Sequence, residues 1–149
     1  MKLSTRGRYG IRAMLDLALN ADGSPVPIKA IAERQEIPEA YLEQLIAVLK
    51  REGLVTSTRG AQGGYMLSRP ASQITVGQIL RALEDGLNLV DCLAEADACR
   101  RACDCPSRIV YRKLQDGLNR IADSITLQDM VSDFGHGGAA SDSRGIPDP

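Results

Sequence analysis

Hydrophobic positions recur at helical spacing from the start of the chain. Between Ser4 and Asn20, residues Ile11, Met14, Leu15, Ala18 and Leu19 share one face, which predicts an amphipathic helix ended by Asp22-Gly23-Ser24-Pro25. A second helix is predicted from Pro27, a residue suited to the first helical position; it buries Ile28, Ile31 and Ala32 and stops near Glu36-Ile37. Pro38 opens a third, PEAYLEQLIAVLKREG, which turns Leu42, Leu45, Ile46 and Leu49 to the core and places Gly53 as a C-terminal cap. Its other face presents Glu39, Ala40, Tyr41, Glu43, Gln44 and Ala47. Short helices joined by a tight turn match a helix-turn-helix whose second helix enters a major groove; a helical hairpin with a solvated face is the plainer alternative.

The period then becomes strand-like. Leu54 to Thr58 and Tyr65 to Leu67 flank Arg59-Gly60-Ala61-Gln62-Gly63-Gly64, a glycine-rich turn carrying one arginine. An ordinary hairpin needs the glycines but not the arginine, whereas a wing laid on DNA uses that cation in a narrow minor groove. Thr75 and Gln78 form a capping-box start for a fourth helix bearing Val76, Ile79, Leu80 and Leu83, and Asp85-Gly86 ends it. Farther on, Tyr111, Leu114, Leu118, Ile121 and Ile125 recur at intervals of three and four, an a/d seam that suits a second copy of the same helix. Packing against the chain's own core is the alternative. From Ser132 a Gly, Ser, Asp and Pro mixture predicts a disordered tail, with the single histidine, His136, solvated in it.

The expected fold is therefore mainly α with a small β-hairpin wing: a winged helix-turn-helix with a long C-terminal dimerisation helix. The expected divisions are 1–84 for the DNA-binding domain, 85–106 for a cysteine-containing sensor loop, 107–131 for the dimerisation helix and 132–149 for the tail.

Composition sharpens this picture. With 149 residues and 44% hydrophobic content the chain can bury one real core. Charges every few residues at the N-terminus argue against a signal peptide or a membrane span, so a cytoplasmic location is expected. The net charge of -1 conceals an asymmetry: residues 1–70 carry ten Lys/Arg against seven Asp/Glu, and residues 71–149 carry eight against twelve. A basic front half suits a polyanion.

All four cysteines, Cys92, Cys99, Cys103 and Cys105, lie in CLAEADACRRACDC. In a reducing cytosol this indicates metal ligands or redox-active thiols rather than structural disulfides. Thiolates suit iron-sulfur clusters. Zinc remains open although the Cys-x2-Cys knuckle is missing, as do bare redox thiols helped by the charge of Arg100 and Arg101. No Cys-x-x-Cys and no ordered histidine base are present, so an enzyme is not expected. A winged helix used only for protein interaction also stays open.

The opening MKLSTRGRYGIRAMLDLA, the run YLEQLIAVLKREGLV, the wing TRGAQGGYML, the element ITVGQILRALE and a three-cysteine frame carry a family likeness. Over residues 1 to about 131 the chain resembles the winged-helix transcription regulators to which the iron-sulfur cluster regulator IscR and the nitric oxide sensor NsrR belong. The resemblance implies a homodimer that reads a palindromic double-stranded operator, with no membrane and no small-molecule substrate. Its implied DNA contacts are Tyr41, Glu43 and Gln44 on the recognition helix, Arg59 on the wing, and Lys2, Ser4 and Arg6 at the start of the first helix. Glu39 and Gly60, beside these groups, complete the candidate set. Gln44 suits an adenine edge and Glu43 a cytosine amine.

The same resemblance implies a cluster, most simply 2Fe-2S, on Cys92, Cys99 and Cys105, which are separated by six and five residues. IscR-like members place a histidine three residues after the third cysteine, and Arg108 stands there in this chain. NsrR-type members use a carboxylate of the first helix, but positions 8 and 12 are both arginine. Cys103 is thus the candidate fourth ligand.

Overall fold

The computed structural model describes residues 2–137, and its first helix begins where the sequence offers a cap. Ser4 Oγ accepts the Gly7 N–H at 3.1 Å and opens α1 (Thr5–Leu19). The buried face of α1 comprises Gly7, Gly10, Ala13, Met14, Asp16 and Leu17. This face is rotated from the expected one, and Leu19 is 40% exposed. Close packing explains the rotation: α1 crosses α4 (Val76–Leu83) so tightly that a Cβ on Gly10 would lie 1.9 Å from Leu83 Cδ1. Counting apolar residues gives such glycines no weight.

Next come α2 (Ile28–Gln35) and α3 (Glu39–Arg51), with Pro27 and Pro38 as their N-cap residues. Pro27 thus sits one place before the first helical position it was expected to fill. In the turn between them Glu36 adopts a left-handed φ of 52°, and the Ile37 N–H returns to Ala32 O at 3.0 Å, a Schellman-type closure. Leu42, Leu45, Ile46 and Leu49 of α3 are all buried, as their spacing predicts.

Strands β1 (Val55–Thr58) and β2 (Gly64–Leu67) pair antiparallel in a register running from Val55 opposite Leu67 to Thr58 opposite Gly64. Val26 adds a bridge to Tyr65. The mutual capping of Thr75 and Gln78 opens α4.

One polar cluster joins α1 to α2. Asp16 is 2% exposed, and Arg34 donates to both of its oxygens, Nε to Oδ2 at 3.0 Å and Nη2 to Oδ1 at 2.7 Å. Gln35 Nε2 adds a donor to Oδ2 at 2.9 Å. The hydrogen bond to Asp16 holds the Arg34 pKa above its ordinary value. Arg12 Nη2 donates to the Gln35 carbonyl, and its guanidinium lies 5.3 Å from the centre of the Tyr9 ring.

After the cysteine loop, with its single helical turn α5 (Asp91–Ala94), the chain forms α6 (Ser107–Ser124) and α7 (Leu127–Gly137). Two positions depart from the expected seam. Leu118 packs inward with Leu80, Leu87 and Ala122. Ile125 leaves the helix altogether: its backbone is extended and its carbonyl accepts the Val76 N–H at 2.9 Å. Thr126 bridges to Thr75, and Leu127, fully buried, donates its N–H to Ile74 O at 2.9 Å.

The stretch expected to extend the dimer helix therefore returns to the core formed by the N-terminal elements. Asp129 caps α7 by accepting from the Thr126 N–H and hydroxyl, which holds its pKa below the usual carboxylate value. Helix α7 runs through residue 137, so 132–137, including His136, are helical and not part of a tail; the expectation for 138–149 lies outside the described residues. Among the described residues no helix is long and apolar enough to cross a membrane.

Replacing Asp16 by Ala removes a buried acceptor shared by Arg34 and Gln35. Because Arg34 is 43% exposed and can recover water, the expected loss is about 2–3 kcal/mol, read from urea unfolding.

Candidate nucleic-acid interface and cysteine loop

The apolar face of α3 is consumed by the core, and this fixes what its opposite face offers. Glu39, Ala40, Glu43, Gln44 and Ala47 are exposed there. Tyr41 is half-buried, with its ring edge-on to Tyr9 at 5.9 Å between centroids. It ties the recognition helix to α1 as well as bordering the surface. Arg6, Tyr41 and Gln44 line one cleft of about 370 Å³ between α1 and α3, so these candidates from separate parts of the sequence are brought together.

Lys2 and Arg6 are exposed at the start of α1, whereas Ser4 is half-buried. The Ser4 hydroxyl is already engaged, accepting from Gly7 N–H and donating to Glu84 Oε1 at 2.7 Å.

Arg59 and Gly60 stand exposed at the hairpin tip, where Gly60 adopts a φ of 109° that a side chain would strain. The Gly63 N–H closes the turn on Gly60 O at 2.9 Å. Among the described residues Arg59 has no ion-pair partner, so its charge is available to a polyanion. Lys50 Nζ, at the end of α3, donates to Ser57 Oγ of β1 at 2.6 Å and fixes the wing against the recognition helix.

The cysteine loop is made of short turns. All four cysteines are free thiols; Cys92 and Cys105 are half-buried, and Cys99 and Cys103 are exposed. Among the described residues no three His, Cys, Asp or Glu side chains form a ready metal site, so gathering the thiolates requires the loop to rearrange. Their chemistry fits a thiophilic metal: four soft donors within fourteen residues, with no competing histidine.

Arg108, at the place where the family resemblance expects a histidine, holds the loop by its backbone. Its Nη2 donates to Cys92 O at 3.0 Å and its Nη1 to Ala102 O at 3.3 Å, while its Nε is buried with no partner among the described residues. Neither Arg8 nor Arg12 of α1 turns to the loop: Arg8 bonds Thr5, and Arg12 bonds Gln35.

Along α6, Val110, Leu114 and Ile121 are exposed, Leu114 at 58% and Ile121 at 62%, and Tyr111 is exposed less strongly at 37%. Gly117 lies on the same stripe, and a Cβ added there would meet nothing within 4 Å. Gln115 and Ala122 face inward.

Sequence reasoning missed Glu84 and Gln115, whose bonds link α4, α6 and the approach to Cys92. Neither carries a local signal, because Ser4 lies 80 residues from Glu84 and Leu89 lies 26 from Gln115.

A helix-turn-helix followed by a two-stranded wing, with a cation at its tip, defines a winged-helix DNA-binding transcriptional regulator. Residues 3–133 match the Rrf2 family, described as an iron-dependent transcriptional regulator, and this chain belongs to it. The regulator IscR of Escherichia coli O1:K1 / APEC is 40% identical over 132 residues, which cover 89% of this chain and 81% of that protein. The solved structure of T. potens IscR is 42% identical with a TM-score of 0.77, covering 95% of this chain and 93% of that one. CymR (YrzC), the global cysteine regulator of B. subtilis, is 37% identical with a TM-score of 0.74, covering 89% and 97%. The family and these relatives are transcriptional regulators, not enzymes.

Arg59→Ala is expected to weaken binding to duplex DNA and to lower the salt dependence of log K by about one. Titrations across salt concentrations check this, and an unchanged slope rules out a charged contact.

Proposed function

We propose that this regulator is a homodimer that reads a palindromic operator, and that a 2Fe-2S cluster held by Cys92, Cys99, Cys105 and Cys103 controls its grip on DNA. The observation that carries the reading is the collection of all four thiols in one loop between the end of α4 and the start of α6. Likeness to IscR supports the cluster, and the donor set is soft enough to hold it. When bound, the cluster would cross-link the loop and supply a centre sensitive to iron supply, oxygen, nitric oxide or redox poise. The protein's own part is to convert loop geometry into a setting of the two recognition helices.

The dimer reading rests on α6. Val110, Leu114, Gly117 and Ile121 form an apolar stripe with a small residue in its middle, which lets a second helix approach closely. A two-fold axis through that stripe would present two copies of α3 and two Arg59 tips to a symmetric site. In this reading Glu39, Glu43 and Gln44 face base edges, Arg59 and Gly60 the minor groove, and Lys2 and Arg6 the phosphates. A shift of roughly 1–3 kcal/mol between loop states changes operator affinity 5- to 150-fold.

A thiol switch is the second reading. It is favoured by the exposure of Cys99 and Cys103 beside Arg100 and Arg101, and by likeness to the cysteine regulator CymR.

Anaerobic purification with iron and acid-labile sulfide counted per monomer separates the two. Matched iron and sulfide with a visible chromophore are expected, and Cys92→Ala and Cys103→Ala should each lose the colour. Cys92→Ala should also lose the cluster-dependent share of DNA binding; full regulation without a cluster would sink the cluster reading. Leu114→Glu is expected to shift the protein toward monomer in sedimentation and to weaken operator binding, because a charge cannot be buried in that stripe.

A further inference from the structure

The start of α1 is held by a residue far away in sequence. Ser4 donates its backbone N–H at 3.1 Å and its hydroxyl at 2.7 Å to the same oxygen, Glu84 Oε1. The carboxylate thus stands at the N-terminal end of α1, where the helix dipole and charge-assisted hydrogen bonds both favour an anion. The sequence makes room for it: a Cβ on Gly7 would lie 2.3 Å from Glu84 Oε1.

Glu84 is also tied to α4 and, through the residues that follow it, to α6. It is the C-cap of α4, and its N–H donates to Leu80 O at 2.8 Å. Just beyond it Leu87 is buried, with its carbonyl accepting from Gln115 Nε2. The Leu89 N–H donates to Gln115 Oε1 at 2.7 Å. Arg108, on α6 like Gln115, then holds the Cys92 carbonyl. The stretch from 84 to 92 is therefore fastened to the start of α1 by the Glu84 side chain and to α6 by the backbone of Leu87, Leu89 and Cys92.

Side-chain packing adds to this link, since Ile11 of α1 and Leu118 of α6 both pack on the cluster of Leu80, Leu87 and Ala122. A cavity of about 620 Å³ is lined by Lys2 and Leu3 of the N-terminal arm, by the stretch from Glu84 to Asn88, and by residues of the loop from Asp91 to Ala98. That space leaves the loop room to shift, and Glu84 is the side chain that ties the adjoining stretch to Ser4.

We infer that Glu84 is a positioning residue that couples the cysteine loop to the DNA-facing start of α1. Resetting the loop changes its hold on Ser4, and with it the placement of Lys2 and Arg6. This rests on the reading of the loop as the sensor.

The test uses the full chain with its thiols free or alkylated by iodoacetamide, hydrogen exchange at the Gly7 and Arg8 amides, and affinity for a mixed-sequence duplex. In the unsubstituted protein, alkylation should speed exchange at those amides roughly five- to tenfold. In Glu84→Ala, exchange should already be fast and alkylation should add nothing. Glu84→Gln keeps an acceptor oxygen and should recover most of the response, which a general loss of stability would not predict; it also serves if the Ala variant fails to fold.

The inference is overturned if Glu84→Ala retains the full response, or if alkylation leaves α1 exchange unmoved in the unsubstituted protein. DNA affinity that changes without any change in exchange keeps the sensor reading and discards the coupling. Exchange that changes without DNA affinity keeps the coupling and discards the sensor reading.

Discussion

A carboxylate with only 2% exposure must be surrounded by donors, and Asp16 meets that requirement by gripping Arg34 and Gln35. The bidentate geometry fixes an angle as well as a distance, so α2 has one allowed setting on α1. Arg12 repeats the constraint from a second direction, on the carbonyl of Gln35. Helix α3 follows through the tight Glu36 turn, and its exposed face is thereby aimed relative to α1. The position of a recognition surface thus depends on an ion pair that lies outside it and whose carboxylate alone is buried.

Much of this fold is legible in the sequence, and the exceptions share a physical cause. The α3 core face and the wing were readable because their signals are local: a helical repeat in one case, glycines flanking an arginine in the other. Asp16 was not readable, since a lone aspartate within a helix looks solvated until Arg34, 18 residues on, is placed beside it. The true face of α1 was obscured by Gly7 and Gly10, which contribute close approach rather than hydrophobicity. The end of α6 was missed for a related reason. Ile125 continues the heptad count, but its backbone is claimed by Val76, a partner supplied by tertiary structure.

The candidate site divides in the same way. Cysteine count and spacing identify the loop and its soft donors, because thiol chemistry is carried by residue type. Geometry adds what composition cannot: Arg108 grips the loop by its carbonyls, and Tyr41 is as much a packing residue as a surface one.

The return of the chain at Leu127 has a consequence for how the protein is made. A fully buried side chain and a backbone bond to Ile74 place a keystone of the DNA-binding core well downstream of the winged helix in the chain. Contacts so distant in sequence form late, after their loop-closure entropy has been overcome. During synthesis the winged helix therefore remains incomplete until α7 has emerged from the ribosome. The part that reads DNA matures only after the cysteine loop and α6 have themselves been made.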